Sequence, residues 1–117
     1  MTNYILHHVN DQGIAEVNAD SPIIRDAQQF LDIMMNLPAD KFIVHKACVD
    51  ESFFDLRSGL AGEILQKVVN YTRQLGIVGD FSGYESKSLR DFIYESNKSN
   101  TVVFVNTLDE ALKRLSI

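Results

Sequence analysis

LRSGLAGEILQKVVNYTRQLGIVGDF, residues 56–81, is the stretch from which the fold is read. Leu56, Leu60, Ile64, Val68 and Thr72 recur every four residues, with Ala61, Leu65, Val69 and Leu75 beside them. That spacing predicts an amphipathic helix, and it is the strongest periodic signal in the chain. The period then breaks. GIVGDF, 76–81, is too short and too β-branched to be helix and reads as a buried strand. A helix passing directly into a buried strand is half of a crossover unit, so the rest of the chain is tested for the same alternation.

Upstream, 41–49 is a strand rich in Phe, Ile and Val. Before it, Asp20-Ser21-Pro22 gives a helix-start signal, a capping residue followed by proline at the first helical position. Ile23, Ala27, Phe30, Leu31 and Met34 then form one apolar stripe, and Leu37-Pro38 stops the helix. Residues 3–9 and 13–18 read as a hairpin closed by Asn10-Asp11-Gln12-Gly13. Downstream, 86–96 carries Leu89, Phe92 and Ile93 on one helical face, and TVVFV, 101–105, is a last buried strand. Thr107 to Glu110 forms a capping box that opens a fourth helix running through Leu115. The order β-β-α-β-α-β-α-β-α implies an α/β domain with right-handed crossovers and a mainly parallel five-stranded sheet, its first strand antiparallel.

At 117 residues, with 45% hydrophobic and 23% charged residues, the chain reads as one globular domain covering 1–117. A formal net charge of −5 and the lack of any basic run exclude a dedicated nucleic-acid binder. The N-terminal MTNYILHHVN is no secretory signal, and no apolar run approaches the ~20 residues of a membrane span. Cys48 is the single cysteine, so no disulfide forms within the chain. These features point to a cytoplasmic protein with neither nucleic acid nor membrane among its partners.

In sheets of this class ligands gather beyond the carboxyl ends of the strands. Residues 50–58, 79–83 and 106–107 converge there. Gly59 and Gly62 sit inside the helical pattern, where each costs roughly 0.5–1 kcal/mol relative to alanine. One reading is close packing against a neighbouring element. The other is an anion resting on a helix N-terminus with Arg57 adding charge. Asp55 and Asp80, with Asp50 and Glu51 nearby, are either paired carboxylates for a cation or acid–base chemistry, or local caps. In the second case Asp55 caps the second helix and Asp80 bonds the turn toward Ser82. The histidines do not make a metal site: His7 and His8 point to opposite faces of a strand, and so do His45 and Cys48. Lys41, His45 and Lys46 make the third strand too polar for one covered on both faces, so part of the sheet is open to a second copy or to water.

FFDLRSGLAGEILQKVVNY, GIVGDFS, SKSLRDFIYESN and VVFVNTLDEAL closely resemble a small bacterial family that carries only a domain-of-unknown-function label. That resemblance runs from about residue 53 to residue 115 and implies no established activity. More distantly, the chain resembles the STAS domains, the anti-sigma-factor antagonists, whose fold ends in a strand and helix like VVFVNTLDEALKRL. Their Asp-Ser-Ser-Gly-Leu segment opens a helix, and its second serine is phosphorylated in the switching members. Ser58-Gly59-Leu60 matches the end of that segment; Arg57 replaces the first serine, and the aspartate stands one residue early at Asp55. The resemblance implies a STAS-like scaffold with Ser58 as a candidate phospho-switch or interaction residue.

Two functions follow as expectations. The first is a non-enzymatic regulatory or protein-interaction module, with a protein partner or a homodimer. The second is a small-molecule or anion-binding protein, an enzyme in its strongest form, using Asp55, Arg57, Ser58, Gly59, Gly62, Asp80 and Ser82. Neither a phosphate loop nor a dinucleotide fingerprint is present, and no cofactor is expected.

Overall fold

The computed structural model describes residues 3–117. Five strands, β1 (Asn3–Val9), β2 (Gln12–Asn18), β3 (Lys41–His45), β4 (Gln74–Val78) and β5 (Val102–Val105), form one sheet in the order in which they occur in the chain. Asn10 and Asp11 both take positive φ, 52° and 64°, which turns β1 back onto β2. β1 therefore runs antiparallel to β2, and every other pair is parallel. Helices α1 (Ala27–Met35), α2 (Leu60–Asn70), α3 (Lys87–Ser99) and α4 (Leu108–Leu115) make the crossovers and close the chain. The α/β class and the mainly parallel sheet with its N-terminal hairpin are as the alternation predicts.

Side-chain alternation divides the sheet into two unequal faces. On one, Ala15, Val17, Phe42, Val44, Leu75, Ile77, Val102 and Phe104 pack beneath α1, α2 and α3. Leu60, Ile64 and Val68 of α2 are all buried there, as their four-residue spacing requires. On the other, α4 alone packs Ala111 and Leu115 against Ile14, Ile43, Val78, Val103 and Val105. Gly76 permits that approach: a Cβ on it would lie 3.3 Å from Ala111 Cβ. α4 lies over β4 and β5, and at the opposite edge of the sheet Ile5 of β1 is 49% exposed.

Several boundaries differ from the sequence reading, each for a local reason. α1 begins at Ala27, because Asp26 accepts a hydrogen bond from Gln29 N and caps the helix. Ile24 stays extended and bridges in parallel to Val49. β3 stops at His45, since Lys46–Cys48 winds into a 3₁₀ turn; Cys48 is thus not on the strand with His45. β4 spans Gln74–Val78 rather than 76–81, and α3 continues to Ser99. Thr72 lies beyond α2, with a φ of 55°. The stretch 51–58 is not helix but two successive 3₁₀ turns, Glu51–Phe54 and Leu56–Ser58.

Candidate functional site

The carboxyl ends of β3 and β4 meet the two 3₁₀ turns and the start of α2, where the sequence places its candidates. Each turn is capped from within. Asp50 accepts from Ser52 N at 3.1 Å, and Asp55 accepts from Arg57 N at 3.1 Å. Asp55 thus caps the second 3₁₀ turn and not α2. The same carboxylate takes Arg57 Nε at 3.1 Å, and that side-chain bond, followed by the backbone one, holds its pKa below the ordinary range. The Arg57 side chain is otherwise 92% exposed.

Ser58 follows. Its hydroxyl donates to Ser52 O at 2.6 Å and accepts from Leu60 N at 3.2 Å, and the residue remains exposed. Gly59 takes a φ of +81°, which lets the chain leave the 3₁₀ turn and enter α2. That requirement is conformational. At Gly62 a Cβ would meet nothing within 4 Å, so the close-packing reading fails there; the glycine that serves close packing is Gly76.

Across the edge, Asp80 accepts from Ser82 N at 2.9 Å and from Ser82 Oγ at 2.6 Å, the turn bond that the sequence suggests. The Ser82 hydroxyl first, then its N–H, holds the Asp80 pKa low. Lys46 crosses Gly79, where a Cβ would come within 2.6 Å of Lys46 Cβ. Its ammonium reaches Asp80 O at 3.2 Å and stands 4.7 Å from the Tyr84 ring centroid. Tyr84 stacks on Phe54 at 5.0 Å and donates its hydroxyl to Glu51 at 2.9 Å; burial, then that carboxylate, pushes its pKa up.

Two open clefts flank this edge. One, about 600 Å³, is lined by His45, Lys46, Val49, Gly79 and Asp80 among others. The second, about 640 Å³, is lined by Phe54, Asp55, Leu56, Arg57, Ser86 and Ser88. Asp55 and Asp80 therefore line different clefts and make no carboxylate pair. Among the described residues, no group of three or more His, Cys, Asp or Glu is arranged to hold a metal ion. Among the described residues, no helix is long and apolar enough to cross a membrane. Cys48 is buried, and burial raises its thiol pKa.

The structure also assembles a cluster that spacing along the chain did not reveal. Glu16 of β2 is only 7% exposed. His7 Nε2 of β1 stands 2.8 Å from its Oε1, and His45 Nε2 of β3 stands 2.6 Å from its Oε2. Burial raises the Glu16 pKa, but the bonds to His45 and then His7, with their attraction, outweigh it and leave the pKa below 4.5. His7 and His8 do face opposite sides, yet His7 and His45 share one. The available signal was Glu16 itself, a lone charge in the apolar run GIAEV, which has to find partners on adjacent strands.

The chain matches the family described as Domain of unknown function (DUF4180) over residues 9–115 and belongs to that family. None of the curated proteins matches it. Among solved structures it is similar to an anti-sigma-factor antagonist (STAS) domain protein from Planctomyces limnophilus. The identity is 14% and the TM-score 0.43, over 97% of this chain and 98% of that one.

Proposed function

We propose that this DUF4180 domain is a non-enzymatic protein-interaction module that docks through residues 51–63, with Ser58 as the position where added charge controls docking. One observation carries the reading: three polar side chains of the turns are satisfied by the local backbone. Asp50, Asp55 and Ser58 each bond an N–H two residues ahead, and Ser58 also donates to Ser52 O. A segment tied in this way is ordered before a partner arrives, so docking costs little conformational entropy. It presents Arg57 and Ser58 outward and ties the Asp50 and Asp55 carboxylates into its own turns, which favours a docking edge over the small-molecule reading.

A phosphate on Ser58 would remove the hydroxyl proton that Ser52 O accepts and add about −1.5 to −2 charge at the start of α2. That change is confined to the exposed turn. The test uses immobilised chain in wild-type, Ser58→Asp and Arg57→Glu forms. The expected result is a partner captured by wild type and released by both variants, whose melting midpoints stay with wild type. Capture of the same set by all three overturns the reading.

A further inference from the structure

Glu16 determines more than its own charge. Its carboxyl pKa lies below the ordinary value, so at neutral pH both oxygens are acceptors only. His7 Nε2 and His45 Nε2 therefore each carry the proton they donate. A neutral imidazole protonated at Nε2 keeps its lone pair on Nδ1. In its neutral form each of the two rings is thus held in one tautomer by one buried group.

The two Nδ1 atoms have different surroundings. His7 sits on the hairpin strand with its side chain 25% exposed. His45 ends β3, is 35% exposed in its side chain, and lines the cleft beside Lys46. Among the described residues Arg73 Nε is the one buried side-chain nitrogen or oxygen without a partner, and His45 Nδ1 bonds to no group of the chain. That nitrogen is therefore not fully buried, and its residue lines the cleft. A fixed N–H on a carboxylate and a lone pair on the opposite nitrogen are what an imidazole needs to act as a nucleophile, and Lys46 is the cation of a cleft wall that also carries Glu51 and Asp80.

We propose that His45 is a phosphoryl-accepting nucleophile, held in its reactive tautomer by Glu16 and open to the cleft through Nδ1. In the step, the Nδ1 lone pair forms a bond to the phosphorus of an N-phosphoryl donor, a phosphoramidate. The donor's bond to phosphorus breaks, and its electron pair leaves with the donor group. The Nε2 proton stays donated to Glu16, whose negative charge stabilises the cationic ring of the product. Glu16 is a positioning residue. This assignment is independent of the docking edge, which it neither uses nor requires.

The test offers phosphoramidate to the full folded chain, where the donor's P–N bond breaks and ammonia leaves. Mass spectrometry then assigns the modified residue, and ³¹P NMR assigns the nitrogen. His8 is an internal control, an exposed imidazole on the opposite sheet face. The expected result is modification of His45 on Nδ1, roughly tenfold faster than His8, a modest part of the ~10²–10⁴ that a positioned proton holder contributes. Glu16→Gln should bring the His45 rate down to that of His8 and mix the two nitrogens. Should that variant not fold, ¹⁵N shifts of the wild-type imidazoles report the tautomer directly. Modification on Nε2, a His45 rate no greater than that of His8, modification of His7 first, or an Nδ1–H tautomer at His45 overturns the proposal.

Discussion

The turns at residues 50–58 and the Glu16 cluster solve the same problem, satisfying polar side chains, at opposite distances along the chain. In the turns, donor and acceptor lie two to six residues apart and stand in water. In the cluster, Glu16 bonds residues nine and twenty-nine positions away, across three strands and with little water. Local capping shapes a loop at little cost if it is lost. A buried carboxylate held by two strands instead fixes which residues of β1 and β3 must face it, and losing it leaves partners without bonds.

Glu16→Ala should give the largest effect. Hydrogen bonds to a charged group contribute about 1.5–3 kcal/mol, so a loss of that size is expected in urea unfolding. Asp55→Ala, the matching change in the exposed turns, should leave the midpoint nearly unmoved. Equal losses would erase the distinction. The cluster also has a pH signature. The folded Glu16 pKa is depressed, so its contribution is fully present above the ordinary value of 4.5 and is lost as pH falls through the folded pKa. Stability of wild type measured from pH 7 downward should therefore fall below that value, and Glu16→Gln should flatten this part of the acid limb. An unchanged acid limb would show that the cluster does not hold its carboxylate in solution.

The two glycines sharpen the comparison where the turns pass into α2. Gly59→Ala forces a Cβ into left-handed backbone and should cost about 1–2 kcal/mol. Gly62→Ala meets open space in a helix and should gain up to ~1 kcal/mol. Opposite signs at positions three residues apart are the expected result in paired thermal melts. A destabilised Gly62→Ala protein would restore a packing role there.

What could be read from the sequence follows the same division by distance. Element order, the buried stripe Leu60, Ile64 and Val68, and the Asp80–Ser82 turn depend on near neighbours, and all are legible. At Gly62 the sequence leaves close packing and an anion site both open, because a glycine's neighbours in space leave no mark on its neighbours in sequence. The strand pattern continues to residue 49 because Ala47, Cys48 and Val49 are apolar in a turn as they would be in a strand; only the 3₁₀ hydrogen bond from Val49 N to Lys46 O separates the cases. The His7–Glu16–His45 meeting depends on cross-strand register, Glu16 lying opposite Ile5 on β1 and beside Ile43 on β3, which periodicity along one strand does not contain.

The strand order β1-β2-β3-β4-β5 has a consequence for how the chain is made. Each strand adds beside the one synthesised just before it, and none is inserted between two already paired. Growth from the ribosome can therefore lay down the hairpin first and extend the sheet one crossover at a time, each new strand finding an open edge. Loop closures stay short at each step, because no contact in the sheet waits for a distant strand. The last strand and α4 then close the second face over Gly76, so a nascent chain lacking residues 102–115 would still hold the hairpin and the Glu16 cluster while leaving Ile14, Ile43 and Val78 uncovered.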